Sequence, residues 1–225
     1  MALMSLGPFF ILPTFAVLLV MTLMAFTSAH AEEPDSAQIE ASEAKVKLAI
    51  DDFNAQKYDQ ALEQLNEALA LTPQNVFALN LVGAVQTKKK EYDAARGSFS
   101  KALDLDPSFF PARYNLGELD FLQQNYPKAL DYFTALRNNF PGNELIDFKI
   151  VLLHLKLDDL DRANRVANRM RFPGETPAWY FSKAAIDQAT EKKRDARKYV
   201  STAKQLYGES TQLFEESLEE AGLMP

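Results

Sequence analysis

Apolar and small residues recur along this chain on two periods at once. Within segments they fall three and four positions apart, the spacing of one helix face. Between segments the whole pattern returns after 34 residues. Steps of 34 connect Tyr58, Tyr92 and Tyr126, then Ala61, Ala95, Ala129 and Ala163, then Leu65, Phe99 and Phe133. Ala68 and Ala102 follow, Gly83 and Gly117 stand in the half-unit before, and Pro73, Pro107 and Pro141 close the units. A fixed period of this size marks stacked helical hairpins, each burying its core only against its neighbours.

The repeated residues have physical readings of their own. A glycine inside a helix costs about 1 kcal/mol against alanine, so Gly83 and Gly117 are expected where another helix comes close, with Ala95 and Ala129 as the facing residues. Phe99 and Phe133 are expected to fill the space between one hairpin and the next. Each proline ends or follows a helix, because it lacks the amide proton that continues the ladder. Leu-Thr-Pro and Leu-Asp-Pro place an N-cap-like residue beside two of these turns.

Residues 42–75, 76–109 and 110–143 together resemble the tetratricopeptide repeat family. Its 34-residue unit carries a small residue midway along the first helix, then an aromatic, an alanine, a second aromatic, another alanine and a proline. The second unit supplies Gly83, Tyr92, Ala95, Phe99, Ala102 and Pro107. The third departs only in having Leu136 at the second alanine position, and the first uses Ala49 and Leu65. The resemblance implies an all-α, right-handed solenoid of about five hairpins plus a C-terminal capping helix. Residues 144–208 read as two degenerate hairpins, in which Val151 replaces the small residue and the proline moves to Pro173. Residues 209–225 read as an acidic capping helix, with Gly222 as its stop.

Residues 1–31 contain no Lys, Arg, Asp or Glu, and 9–26 are overwhelmingly apolar. Ala29-His30-Ala31 has the small–x–small form of a signal-peptidase site, and a polar segment, 32–41, follows. A secretory signal removed after Ala31 is expected, with a retained membrane anchor as the alternative. The chain has no cysteine and no Asn-x-Ser/Thr sequon, which favours a bacterial periplasmic location and excludes a disulfide framework and a thiol nucleophile.

The net charge of −7 is unevenly spread. Residues 32–143 carry 11 basic against 17 acidic side chains, 144–208 carry 13 against 9, and 209–225 carry 0 against 5. An acidic, exported chain argues against nucleic acid as partner. Arg162, Arg165 and Arg169 recur at i, i+3 and i+7, a solvated face or a surface for an anionic partner or for the acidic tail. Only His30 and His154 are histidines, so no usual zinc set exists. Asp51-Asp52 and Asp158-Asp159 diverge on a helix, and the second pair reads as a helix start. No enzyme, cofactor or metal site is expected.

Binding therefore remains. In the resembled family the first helices line a concave groove through their second, fifth, ninth and twelfth positions. Those implied here include Val46, Ile50 and Phe53, then Phe77 and Asn80, then Tyr114 and Phe121, then Phe148 and Leu152. The Lys/Asn/Arg clamp by which some family members grip a terminal carboxylate is matched here only at Asn115. The implied groove is apolar and aromatic, suited to an apolar helix or peptide unless the chain's own termini cover it. The rivals are a membrane-anchored assembly factor and an accessory subunit of a cell-wall glycan-acting complex; a clustered Trp/Tyr platform would favour the latter, and a sequence with one Trp gives it little support.

Overall fold

The computed structural model describes residues 34–225, so the uncharged segment and its Ala29-His30-Ala31 site lie outside the described residues. Residues 36–225 form one compact unit. It contains five helical hairpins: α1 (Ser36–Asn54) with α2 (Tyr58–Leu71), α3 (Val76–Lys88) with α4 (Tyr92–Leu105), and α5 (Phe110–Leu122) with α6 (Tyr126–Asn139). The last two are α7 (Glu144–Lys156) with α8 (Leu160–Ala167), and α9 (Ala178–Ala189) with α10 (Lys193–Tyr207). A 3₁₀ turn, Gly208–Thr211, leads into α11 (Gln212–Glu220). Consecutive helices pack in order, giving a solenoid with no strand among the described residues.

The helices keep the 34-residue register even where the sequence motif fades. First helices begin at Val76, Phe110, Glu144 and Ala178. The turn inside each hairpin places one residue in the left-handed region: Gln56, Lys90, Gln124, Asp158 and Glu191 have φ between 56° and 63°. None is a glycine, so each turn accepts a backbone that L-residues resist.

Packing at the helix crossings explains the glycines and corrects their partners. A β-carbon on Gly83 would lie 2.5 Å from the Phe99 ring, and one on Gly117 would lie 2.8 Å from Phe133. The close approach is thus by an aromatic ring of the second helix rather than by Ala95 or Ala129. The same paired positions trade volume from hairpin to hairpin. Gly83 and Gly117 stand with buried Phe99 and Phe133, whereas Ala49 shares a core with Leu65 and Val151 shares one with Ala167. A bulkier first-helix residue accompanies a smaller second-helix residue, which conserves volume as a close-packed core requires.

The caps also differ from the expectation at the prolines. Thr72 and Asp106 are C-caps of α2 and α4. The N-caps come later: Asn75 Oδ1 accepts from Ala78 N at 3.0 Å, and Asn143 Oδ1 accepts from Leu145 N and Ile146 N. At the equivalent Phe109 the cap is missing, and its ring instead packs on Phe77 at 5.1 Å. Asp159 Oδ1 caps α8 through Arg162 N at 2.9 Å.

Residues 36–41, expected as part of a polar extension, belong to α1. Once Pro34 is passed, nothing in this stretch breaks a helix. The extra turn is tied down at Ser42, which donates to Ala68 O at 3.1 Å and pairs with Thr72 Oγ1. Further along, Asp120 is almost fully buried yet accepts from Arg96 and Lys128, both at 2.9 Å, which joins α4, α5 and α6.

Candidate partner-binding groove

The first helices α1, α3 and α5 present the inferred groove residues in two different states. On α1, Val46 and Phe53 are half-buried and Ile50 is 44% exposed; on α3, Phe77 is 65% exposed. The added turn of α1 brings Ile39, 43% exposed, onto the same helical face as Val46, Ile50 and Phe53. Asn80 and Asn115 are joined side chain to side chain, Asn115 Nδ2 donating to Asn80 Oδ1 at 3.0 Å. Neither amide stands ready as the lone Asn of a carboxylate clamp.

Towards the other end the expected groove residues are covered by the chain itself, and the expectation that they meet a partner is corrected. Tyr114 is buried beside Phe133, ring centroids 5.3 Å apart. Phe121 is buried on Tyr126 at 5.6 Å, with Lys149 Nζ 4.8 Å from its ring centroid. Phe148 and Leu152 have no exposed surface. The cause for Phe148 is α11, which lies against the first helices instead of only closing the end of the stack. Phe214 of α11 packs on Phe148 at 5.1 Å and on Phe181 at 5.6 Å. Leu218 and Ala221 continue that buried face. Glu216 accepts from Lys88 of α3 at 3.1 Å, Glu215 pairs with Lys204 of α10 at 2.6 Å, and Lys156 of α7 donates to Ala221 O at 3.0 Å. Gly222, at φ +68°, ends the helix, and Leu223 N closes back on Leu218 O at 2.8 Å.

A cavity of about 450 Å³ separates α11 from α1, α3 and α5, with Phe53, Tyr114 and Glu118 on one side and Leu213, Ser217 and Glu220 on the other. Beside it, Glu118 pairs with fully buried Lys149 at 2.5 Å. Burial raises the Glu118 carboxyl above its ordinary value, and the Lys149 ammonium offsets part of that rise. Tyr114 Oη and Glu118 Oε1 have no hydrogen-bond partner among the described residues. Sequence reasoning missed this pair, because Lys149 sits in an apolar run and its partner lies one hairpin away. The alternative that a terminus of the chain covers the groove holds for the C-terminal helix over α7 and α9, and Phe214, Leu218 and Ala221 at i, i+4 and i+7 carried the signal.

The arginine face is corrected as well. Helix α8 stops at Ala167, so Arg169 falls in the following loop, off the face shared by Arg162 and Arg165. Arg162 pairs with Asp159 at 3.0 Å, and Arg169 lines a cleft with Glu144, Asp147 and Glu175. The acidic tail docks on Lys88 and Lys204 rather than here. An aromatic cluster does exist, in which Trp179 meets Phe172 at 4.3 Å and Tyr199 at 5.6 Å. Its rings pack on one another, and of its members Phe172 is the exposed one. Among the described residues no group of three His, Cys, Asp or Glu side chains is placed to hold a metal, and no helix is long and apolar enough to cross a membrane.

Against known proteins, the tetratricopeptide repeat profile matches residues 46–109 and 91–144. The chain belongs to the tetratricopeptide repeat family. A TPR repeat-containing protein of Methanocaldococcus jannaschii is 30% identical over 128 residues, covering 55% of this chain and 22% of that protein. A Hsp70-Hsp90 organizing protein of Triticum aestivum is 27% identical over 114 residues, covering 50% of this chain and 19% of that protein. The tetratricopeptide repeats thus match only about a fifth of these relatives' length. In three dimensions, a tetratricopeptide repeat protein from Parabacteroides merdae superposes with a TM-score of 0.65 at 20% identity, over 79% of this chain and 70% of that one. That likeness shows the solenoid fold. The repeats are a scaffold for protein–protein interaction.

Proposed function

We propose that this chain is a non-catalytic interaction module of the bacterial cell envelope that binds an apolar helix or peptide at the free end of its groove. The observation that carries the proposal is one face of α1, on which Ile39 and Ile50 are exposed and Val46 and Phe53 half-buried, together with the exposed Phe77 on α3. Contiguous exposed apolar surface on a folded domain marks an interaction site. Fully burying such side chains stabilises a complex by about 1.5–3 kcal/mol each. The absence of the Lys/Arg clamp residues from the corresponding positions argues for a ligand held by apolar contact rather than by its terminal carboxylate. The match to a Hsp70-Hsp90 organizing protein supports a partner-binding role.

The envelope location rests on the uncharged first 31 residues and Ala29-His30-Ala31. The exported protein should begin at Glu32, and Ala31→Tyr should block processing. Recovery of an intact Met1 on a membrane-bound product would make the chain a membrane-anchored assembly factor instead. The binding test is an affinity pull-down of the mature chain from envelope extracts, read by mass spectrometry. Ile50→Ser combined with Phe77→Ser should remove the captured partner, while half-molar salt should leave it, since apolar contacts are not screened as exposed charges are. Capture that survives the two substitutions but fails in salt would overturn the groove assignment.

A further inference from the structure

We infer that the concave face of α7 and α9, now filled by α11, is a second binding site. It takes an acidic amphipathic helix from a partner protein in place of α11. The inference rests on the proposed interaction role but concerns a different surface. The occupant's chemistry is read from the helix already seated there. On α11, Phe214, Leu218 and Ala221 form the buried face against Phe148 and Phe181, while Glu215 and Glu216 reach Lys204 and Lys88. A competing helix needs an aromatic and a leucine four residues apart, with carboxylates just after the aromatic.

Two independent features mark α11 as an imperfect occupant. Its covalent tether is short, although its apolar face joins the main core. The helix has nine residues and hangs from Gly208, at φ +56°, through one 3₁₀ turn. Its ion pairs to Lys88 and Lys204 join partly exposed side chains, so they hold it weakly. Its fit is also incomplete. The α11 face made by Leu213, Ser217 and Glu220 stands across the 450 Å³ cavity from Tyr114 and Glu118, whose Oη and Oε1 are buried without partners. Ser217 cannot serve them with its hydroxyl proton, which it gives to Leu213 O at 2.8 Å. Buried polar atoms left unpaired cost stability, and α11 as seated does not relieve that cost. A partner helix with a longer amide side chain at the Ser217 position could pair them, and would therefore outcompete α11.

The experiment uses the full chain and a fluorescein-labelled peptide of residues 209–225 as the probe. Phe214→Ser with Leu218→Ser in the chain releases α11, and this variant should bind the peptide at least tenfold more tightly than wild type does. A peptide carrying the same two substitutions should not bind, and one with Gln at position 217 should bind more tightly than the unaltered sequence. A folded released variant that ignores the peptide would overturn the inference, whatever the pull-down from extracts gives. Hydrogen exchange on wild type gives a test that needs no variant. Amides of 212–220 should exchange well before those of α7 and α9, and release of all three together would also overturn it. So would a wild-type dimer formed by exchange of α11, because the trans helix would then come from a second copy.

Discussion

Phe214 lies ring to ring with Phe148 at 5.1 Å, so an aromatic side chain at an inferred groove position is covered by a residue 66 positions later in the same chain. The groove is thereby divided. Its α7–α9 end is part of the core, and its α1–α3 end remains open. This division leads to a matched pair of substitutions. Phe148→Ala should cost about 3–5 kcal/mol, as removal of a fully buried ring does. Phe77→Ala should stay within about 0.5 kcal/mol of wild type, because that ring is 65% exposed. Urea unfolding followed by circular dichroism distinguishes them, and equal midpoints would contradict the division.

Three glycines on neighbouring helices should respond to the same change with opposite signs. Gly83→Ala and Gly117→Ala drive a methyl into Phe99 and Phe133, which are held in the core, and each should lose about 1–3 kcal/mol. Gly97→Ala meets nothing within 4 Å and should gain up to about 1 kcal/mol from helix propensity. Thermal unfolding of the three variants checks the signs directly.

The Glu118–Lys149 pair invites a double-mutant cycle. Lys149 is fully buried, so Glu118→Leu alone strands its charge and should cost about 3–5 kcal/mol. Replacing both, Glu118→Leu with Lys149→Met, should restore stability to wild type or above it by about 1–4 kcal/mol. A double variant as unstable as the single one would show that the pair does more than satisfy itself.

His154 is 9% exposed, and burial holds its imidazole below the ordinary histidine value. Asp159 opposes that shift, while Arg162, Arg137 and Arg165 reinforce it. The folded state therefore binds its proton less readily than the unfolded chain does. Between the unfolded value near 6.5 and the lower folded value, the unfolded chain carries more protons, so stability falls as pH falls through that window. His154→Leu should flatten this stretch of the stability–pH curve, as read by denaturant midpoints at half-unit steps from pH 5 to 7.5.

The five left-handed turn residues offer a last check. Gln124→Gly should raise stability by up to about 1 kcal/mol, since relief of a left-handed L-residue outweighs the added freedom of the unfolded chain. A lowered melting temperature would mean that the Gln124 side chain contributes contacts beyond its backbone.

The 34-residue recurrence of Tyr92, Ala95, Phe99 and Pro107 determined the hairpins by itself, because each repeat needs the same local helix pattern and the same small–large contact. The open stripe of Ile50 and Phe77 was legible for the same reason, as periodic positions on first helices. Three things were decided only in the tertiary structure. Gly83 faces Phe99 and Val151 shares a core with Ala167, a trade of volume that exists only between helices. Lys149 is tolerated in an apolar run because Glu118 arrives from the preceding hairpin. Phe214 reaches Phe148 and Glu216 reaches Lys88 because the superhelix carries distant helices onto one face. Repeat periodicity encodes contacts between neighbours, whereas contacts across 66 or 128 residues depend on how the stack curves and where the last helix finds apolar surface left uncovered.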